Sequence, residues 1–129
     1  MTELLQAKDE TQALELLHSR GLTDGLPVVI PTPDRVDRLV LATGLDADLL
    51  LGEMGPGNGA ATVEKVAIAA CMAGCLPDHM AVVLAAVQAV LQPEFDLTEM
   101  QSTTHCTAPL VIVNGPARFT CGPIASGFG

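Results

Sequence analysis

The apolar positions fall into short runs with two different spacings. Between Thr11 and Arg20 they recur as Ala13, Leu14 and Leu17. That is one side of a helix, which Thr11 would cap and Gly21 would end. Residues 22–32 read as a loop with a short extended piece at Val28-Val29-Ile30, pinned by Pro27 and Pro31. Thr32-Pro33-Asp34 marks a second helix start: a hydroxyl at the cap, a proline in the first turn, and an acid near the positive end of the dipole. That helix carries Val36, Leu39 and Val40 and stops near Gly44. Leu49 to Met54 reads as a strand feeding the glycine loop Gly55-Pro56-Gly57-Asn58-Gly59. A third helix opens at Thr62-Val63-Glu64 and runs apolar to Gly74. A fourth starts at Pro77-Asp78, continues to about Leu91, and is closed by Pro93. After a polar linker, Pro109-Leu110-Val111-Ile112-Val113 reads as the best strand of the chain, ended by Asn114-Gly115-Pro116. Residues 121–129 show no periodicity.

The apolar stretch from Val66 to Leu91 is broken by Pro77, Asp78 and His79. Each half is too short to cross a hydrocarbon layer of ~30 Å, so it reads as a buried helical hairpin and not as a membrane span. The expected fold class is α/β: an Ala-rich helical hairpin packed on a small sheet, in a single domain over 1–129. One confident strand and one weaker one make a poor sheet, and strand edges need partners. The sequence also stops inside a Gly-rich loop just after its best strand. The expectation is therefore one part of a larger heteromeric fold, completed by a second protein chain.

Composition narrows the class. Of 129 residues, 49% are hydrophobic and 16% charged, which excludes disorder as a description of the whole. Trp and Tyr are absent and only Phe95, Phe119 and Phe128 are aromatic, so the core must be aliphatic. Six basic residues against 15 acidic ones give a net charge of −9. Such a chain repels phosphate backbones and anionic bilayers, so no nucleic acid and no membrane is expected as a partner. The N-terminus lacks a basic region followed by an apolar one, so no secretory signal is read there. Cys71, Cys75, Cys106 and Cys121 are then expected as free thiols in a reducing cytoplasm.

Three groups of residues invite chemistry. The first is the glycine loop before a helix start, where free backbone N–H groups and the helix dipole suit a carboxylate or phosphate. Its candidate residues are Gly55, Gly57, Asn58, Gly59 and Thr62, with Asn114 at the end of the later strand. The glycine spacing does not match the dinucleotide fingerprint, and no P-loop lysine follows, so no nucleotide cofactor is expected. The second group is Cys71 and Cys75, which at i and i+4 would share one helix face with Cβ atoms ~5–6 Å apart. That is too far for a disulfide, which wants ~3.8 Å. Cys75, beside the Leu76-Pro77 break, is the better functional candidate, because the next helix N-terminus would lower its pKa. The third is Thr103-Thr104-His105-Cys106-Thr107. His105, Cys106 and Cys121 would converge as a Cys–His nucleophile pair or, with Cys75, as a metal site. The bland alternative for all four thiols is small apolar packing. Asp24, in Thr-Asp-Gly-Leu-Pro, is either a turn residue or a general base.

Three stretches carry a resemblance: Thr23-Asp24-Gly25-Leu26-Pro27-Val28-Val29, Gly59 to Ile68 (GAATVEKVAI), and Pro109 to Pro116 (PLVIVNGP). Cys71-Met72-Ala73-Gly74-Cys75-Leu76-Pro77 fits as well. Together they resemble an uncharacterised bacterial family of longer chains, companions of small thiol or selenothiol proteins carrying a U-G-S-C or C-G-S-C motif. The resemblance implies further helix and sheet after the Asn-Gly-Pro turn and supplies no catalytic assignment. The expected function is a small subunit of a heteromeric enzyme, a lyase or hydrolase acting on a small carboxylate-bearing metabolite, with the anion at the glycine loop and a thiol taking part. The alternatives are a non-catalytic stabilising partner and a metal- or thiol-handling protein.

Overall fold

In the computed structural model the described residues are 3–122. The first helix, α1 (Glu10–Ser19), starts two residues earlier than the sequence suggests, because Asp9 and not Thr11 caps it. The Asp9 carboxylate accepts from the Gln12 N–H at 2.8 Å. The helix α2 (Pro33–Thr43) begins and ends as expected, at Thr32-Pro33-Asp34 and at Gly44, whose φ of 67° terminates the helix. Between them, the 28–30 segment is irregular and not a strand; the Val29 N–H donates to the Met72 carbonyl at 3.1 Å.

The sheet is a hairpin. Strand β1 (Leu50–Met54) pairs antiparallel with β2 (Gly59–Thr62), and no other strand joins them among the described residues. Leu50 faces Thr62 and Gly52 faces Ala61, so Leu51 is an extra residue on β1. Such a bulge re-aims a side chain, and Leu51 packs against the core. The helix α3 (Val63–Met72) follows β2 without a break. A 3-10 turn at Pro77–His79 leads into α4 (Met80–Val90), and a second at Pro93–Phe95 leads into α5 (Leu97–Ser102). A last short helix, α6, spans Ala117–Thr120.

The architecture is a small mixed α/β fold of six helices and one two-stranded antiparallel sheet among the described residues. Its core lies between three helices. Val36 and Leu39 of α2 meet Val66, Ala67, Ala70 and Cys71 of α3 and Met80 and Leu84 of α4. Val63, Ala67 and Met80 are completely buried. The hairpin leans on this layer from the side: a Cβ at Gly52 would lie 3.1 Å from Leu91 Cδ1, so that strand passes close over the end of α4.

Four expectations are corrected. The Pro109–Val113 segment is not a strand. Its residues have high β-propensity, but propensity makes a strand only where a neighbour supplies the ladder, and no described segment does. The glycine loop does not lead into a helix; it turns back through β2, so the sheet partner of β1 is Gly59–Thr62. The supposed linker after Pro93 contains α5, capped by Asp96. The helical hairpin is buried on one side only. α4 is apolar nearly all round, yet only Met80 and Leu84 are buried, while Ala81, Ala85, Gln88 and Ala89 are exposed. No single described helix is long and apolar enough to cross a membrane.

Candidate functional site

The start of α3 is where an anion was expected, and its donors are engaged. A helix leaves its first N–H groups without intrahelical partners. Here the Val63 N–H donates to the Leu49 carbonyl at 3.1 Å and the Glu64 N–H to the Ala47 carbonyl at 2.8 Å. The Lys65 N–H donates to the Thr62 hydroxyl at 3.3 Å, and the Lys65 ammonium donates to the Ala60 carbonyl at 2.9 Å. Thr62 is therefore a helix cap, as its position suggested, and its acceptor is taken up by the chain itself. The turn glycines stand apart from this point, separated by the length of β2, about 10 Å at the rise of a strand.

Gly55 and Asn58 instead line a shallow open depression of ≈ 190 Å³ between the hairpin turn and the α4–α5 connection. Glu53, Gln92, Asp96 and Thr98 line it too. Two acidic residues, Glu53 and Asp96, line one hollow, which opposes the binding of a carboxylate or phosphate. Gly57 and Gly59 are exposed, and a side chain at either would meet open space. The sequence reading missed Glu53, Asp96 and Thr98. The signal for the last two was present: Asp96 followed three residues later by Glu99 just before an apolar position is a helix-start pattern, and the Asp96 carboxylate does accept from the Glu99 N–H, at 3.5 Å.

Cys75 does not share a helix face with Cys71. Gly74, at φ 80°, ends α3. The Gly74 N–H then donates to the Cys71 carbonyl at 2.9 Å and the Cys75 N–H to the Ala70 carbonyl at 2.9 Å. This pair of bonds is a Schellman closure, in which the residue after the glycine folds back on the helix. Cys75 is accordingly half-buried and packed against the core. Cys71 is buried; burial pushes its thiol pKa up, the Arg35 guanidinium pulls it back in part, and the Cys75 thiol raises it again. Beyond this closure the His79 Nδ1 accepts from the Leu76 N–H at 3.0 Å, which fixes the start of the 3-10 turn.

The remaining thiols sit in contrasting places. His105 and Cys106 are exposed in the 103–107 loop, whose Thr107 hydroxyl donates to the Met100 carbonyl at 3.1 Å. Cys121 is buried just past α6. All four cysteines are free. No group of three His, Cys, Asp or Glu side chains gathers among the described residues, so His105, Cys106, Cys121 and Cys75 are not drawn together. Asp24 is a turn residue: its carboxylate accepts from the Leu26 N–H at 3.0 Å, while the Thr23 hydroxyl accepts from the Gly25 N–H at 3.2 Å and is hydrogen-bonded to His18. Asn114 is exposed ahead of the Gly115-Pro116 turn.

The largest anomaly lies between Cys106 and α6. Leu110, Val111 and Ile112 are 83%, 57% and 72% exposed. Among the described residues, no backbone hydrogen bond joins 109–113 to any other segment. No family model matches the chain, and neither a curated protein nor a solved structure shows significant similarity to it.

Proposed function

We propose that this chain is a partner-dependent subunit, a small cytoplasmic component whose fold is completed by a second polypeptide. The observation that carries the reading is the bare aliphatic segment Leu110-Val111-Ile112. Burying one such side chain is worth about 1.5–3 kcal/mol, and unsatisfied backbone groups next to apolar surface are what an open strand edge offers. Solvent is a poor neighbour for this segment, and a protein surface is a good one. The resemblance to companions of small thiol proteins points in the same direction. Of the two subunit roles, the non-catalytic, stabilising one agrees better with the engaged donors of α3 and the two carboxylates beside Gly55.

The test is native mass spectrometry of the chain purified from its own cells, with light scattering and thermal unfolding of the chain produced alone. A heteromer in the first, and unfolding of the lone chain at a lower temperature than the heteromer in the second, are expected. A monomer in the first, or a lone chain as stable as the heteromer, overturns the reading.

A second reading keeps an enzyme, a lyase or hydrolase acting on a small carboxylate-bearing metabolite. It is favoured by one observation: His105 and Cys106 are adjacent, exposed, and lie directly ahead of the bare segment, so a partner seated there would cover them. Cys106→Ser and His105→Ala in the native assembly test it. Loss of turnover with the assembly intact supports it, and unchanged turnover removes it.

A further inference from the structure

We infer that residues 109–113 are a docking strand that adds to the aliphatic edge of a sheet in the partner. The inference rests on the partner reading above and names what the partner must present. Pro109-Leu110-Val111-Ile112-Val113 has the composition of a strand without the pairing of one. Once paired, a strand alternates its side chains, so Leu110 and Ile112 would lie on one face and Val111 and Val113 on the other. The amides alternate as well: only every second N–H points at the added neighbour.

Charge defines the occupant. All 15 acidic residues lie at or before Glu99, and between Met100 and Gly122 the only Lys or Arg is Arg118. A chain of net charge −9 therefore presents a strip free of carboxylates. Interface centres are depleted of charge in this way, so the matching surface is neutral and aliphatic. A second copy is a poor occupant. It brings the same unbacked segment and another −9, and a lone two-stranded ribbon is marginal in water. An existing sheet supplies the third strand and the layer beneath it. This is recognition by strand addition, with backbone bonds giving affinity and alternate side chains giving fit.

The probe is a disulfide-cyclised β-hairpin peptide with a Val-Thr-Val-Ile edge and lysine flanks, which with the docking strand makes three strands. Its control carries N-methyl groups on the outward edge amides and is otherwise identical. Residue-resolved amide exchange of the full chain is read with each. The expected result is at least tenfold slower exchange at alternate amides, either Leu110 and Ile112 or Val111 and Val113, and at least tenfold weaker binding of the N-methyl control. Val111→Pro or Ile112→Pro, whichever removes an amide that the hairpin protects, should abolish the effect. Equal binding of both hairpins, uniform protection or no protection overturns strand addition. So does protection that appears without hairpin and tracks self-association in sedimentation. The two failures are distinguishable. A native heteromer in which 109–113 exchanges freely leaves the partner reading standing and removes this one. A chain that takes no partner removes both.

Discussion

Gly55 and Thr98 touch so closely that a Cβ at residue 55 would lie 2.1 Å from the Thr98 hydroxyl oxygen and 3.1 Å from its Cβ. The hairpin turn and the start of α5 meet at this point, and only a residue without a side chain fits. Gly55→Ala should lower stability by about 1–3 kcal/mol, the usual range for overpacking. Thr98→Ala should recover part of it. Urea unfolding of the single and double variants measures both. Gly57→Ala, which meets open space, should change little, so a loss at Gly57 as large as at Gly55 would contradict the geometry.

The two helix caps separate a bonded from an unbonded hydroxyl. Thr62 accepts from the Lys65 N–H, whereas Thr32 makes no side-chain cap bond. Thr62→Ala should cost about 1 kcal/mol, and Thr32→Ala less than about half of that. Thermal unfolding at fixed pH decides between this order and its reverse.

The Cys71 thiol gives a pH dependence whose sign is fixed. Burial, opposed in part by the Arg35 guanidinium, raises its pKa in the folded chain. The unfolded thiol titrates near about 8.5. Below that pH both states hold the proton and the contribution to stability is fully present. As pH rises toward the raised folded value, the unfolded state loses its proton first, and stability falls. The unfolding midpoint should therefore drop as pH rises above about 8.5, and drop less in Cys71→Ala. Parallel slopes for the two proteins would show that another group is responsible.

Alkylation should sort the thiols by their surroundings. Cys106 is exposed, Cys75 half-buried, and Cys71 and Cys121 buried. Iodoacetamide followed by peptide mass spectrometry should label Cys106 first and Cys71 and Cys121 last. Early labelling of Cys121 would contradict its burial.

Substitution in the bare segment should leave the isolated fold nearly untouched. The 109–113 amides make no backbone bond to another described segment, so Val111→Pro should change stability by no more than about 0.5 kcal/mol. Leu39→Ala, in the core, should cost about 2–5 kcal/mol. Leu110→Lys with Ile112→Lys should raise the solubility of the chain made alone. Calorimetry and a precipitation assay check these three outcomes.

What the sequence disclosed and what it hid follow from the range of the interactions involved. Thr32-Pro33-Asp34, Gly44, Thr62 and Gly74 act within a few residues, and the helices they bound are where the sequence placed them. β2 was hidden because Gly-Ala-Ala-Thr has almost no strand propensity; it is a strand because β1 lies beside it. The 109–113 segment is the converse, with strong propensity and no described neighbour. The candidate site was less legible. Thr62 was rightly marked as a helix start, but the carbonyls of Ala47 and Leu49 that engage the next two amides come from a loop whose path no local pattern reveals. Cys75 was misplaced by one glycine: Gly74 ends the helix and takes the second thiol off the face of the first.

The irregular stretch from Thr103 to Ile112 is exposed at every residue. Proteases act on accessible, weakly structured chain, and such segments are the usual sites of nicking. A surface that a partner would cover is, without that partner, a point of attack. On the proposed partner reading, copies made in excess of the partner would be cleared and paired copies spared, so the amount of this chain in the cell would follow the supply of that partner without a dedicated regulator.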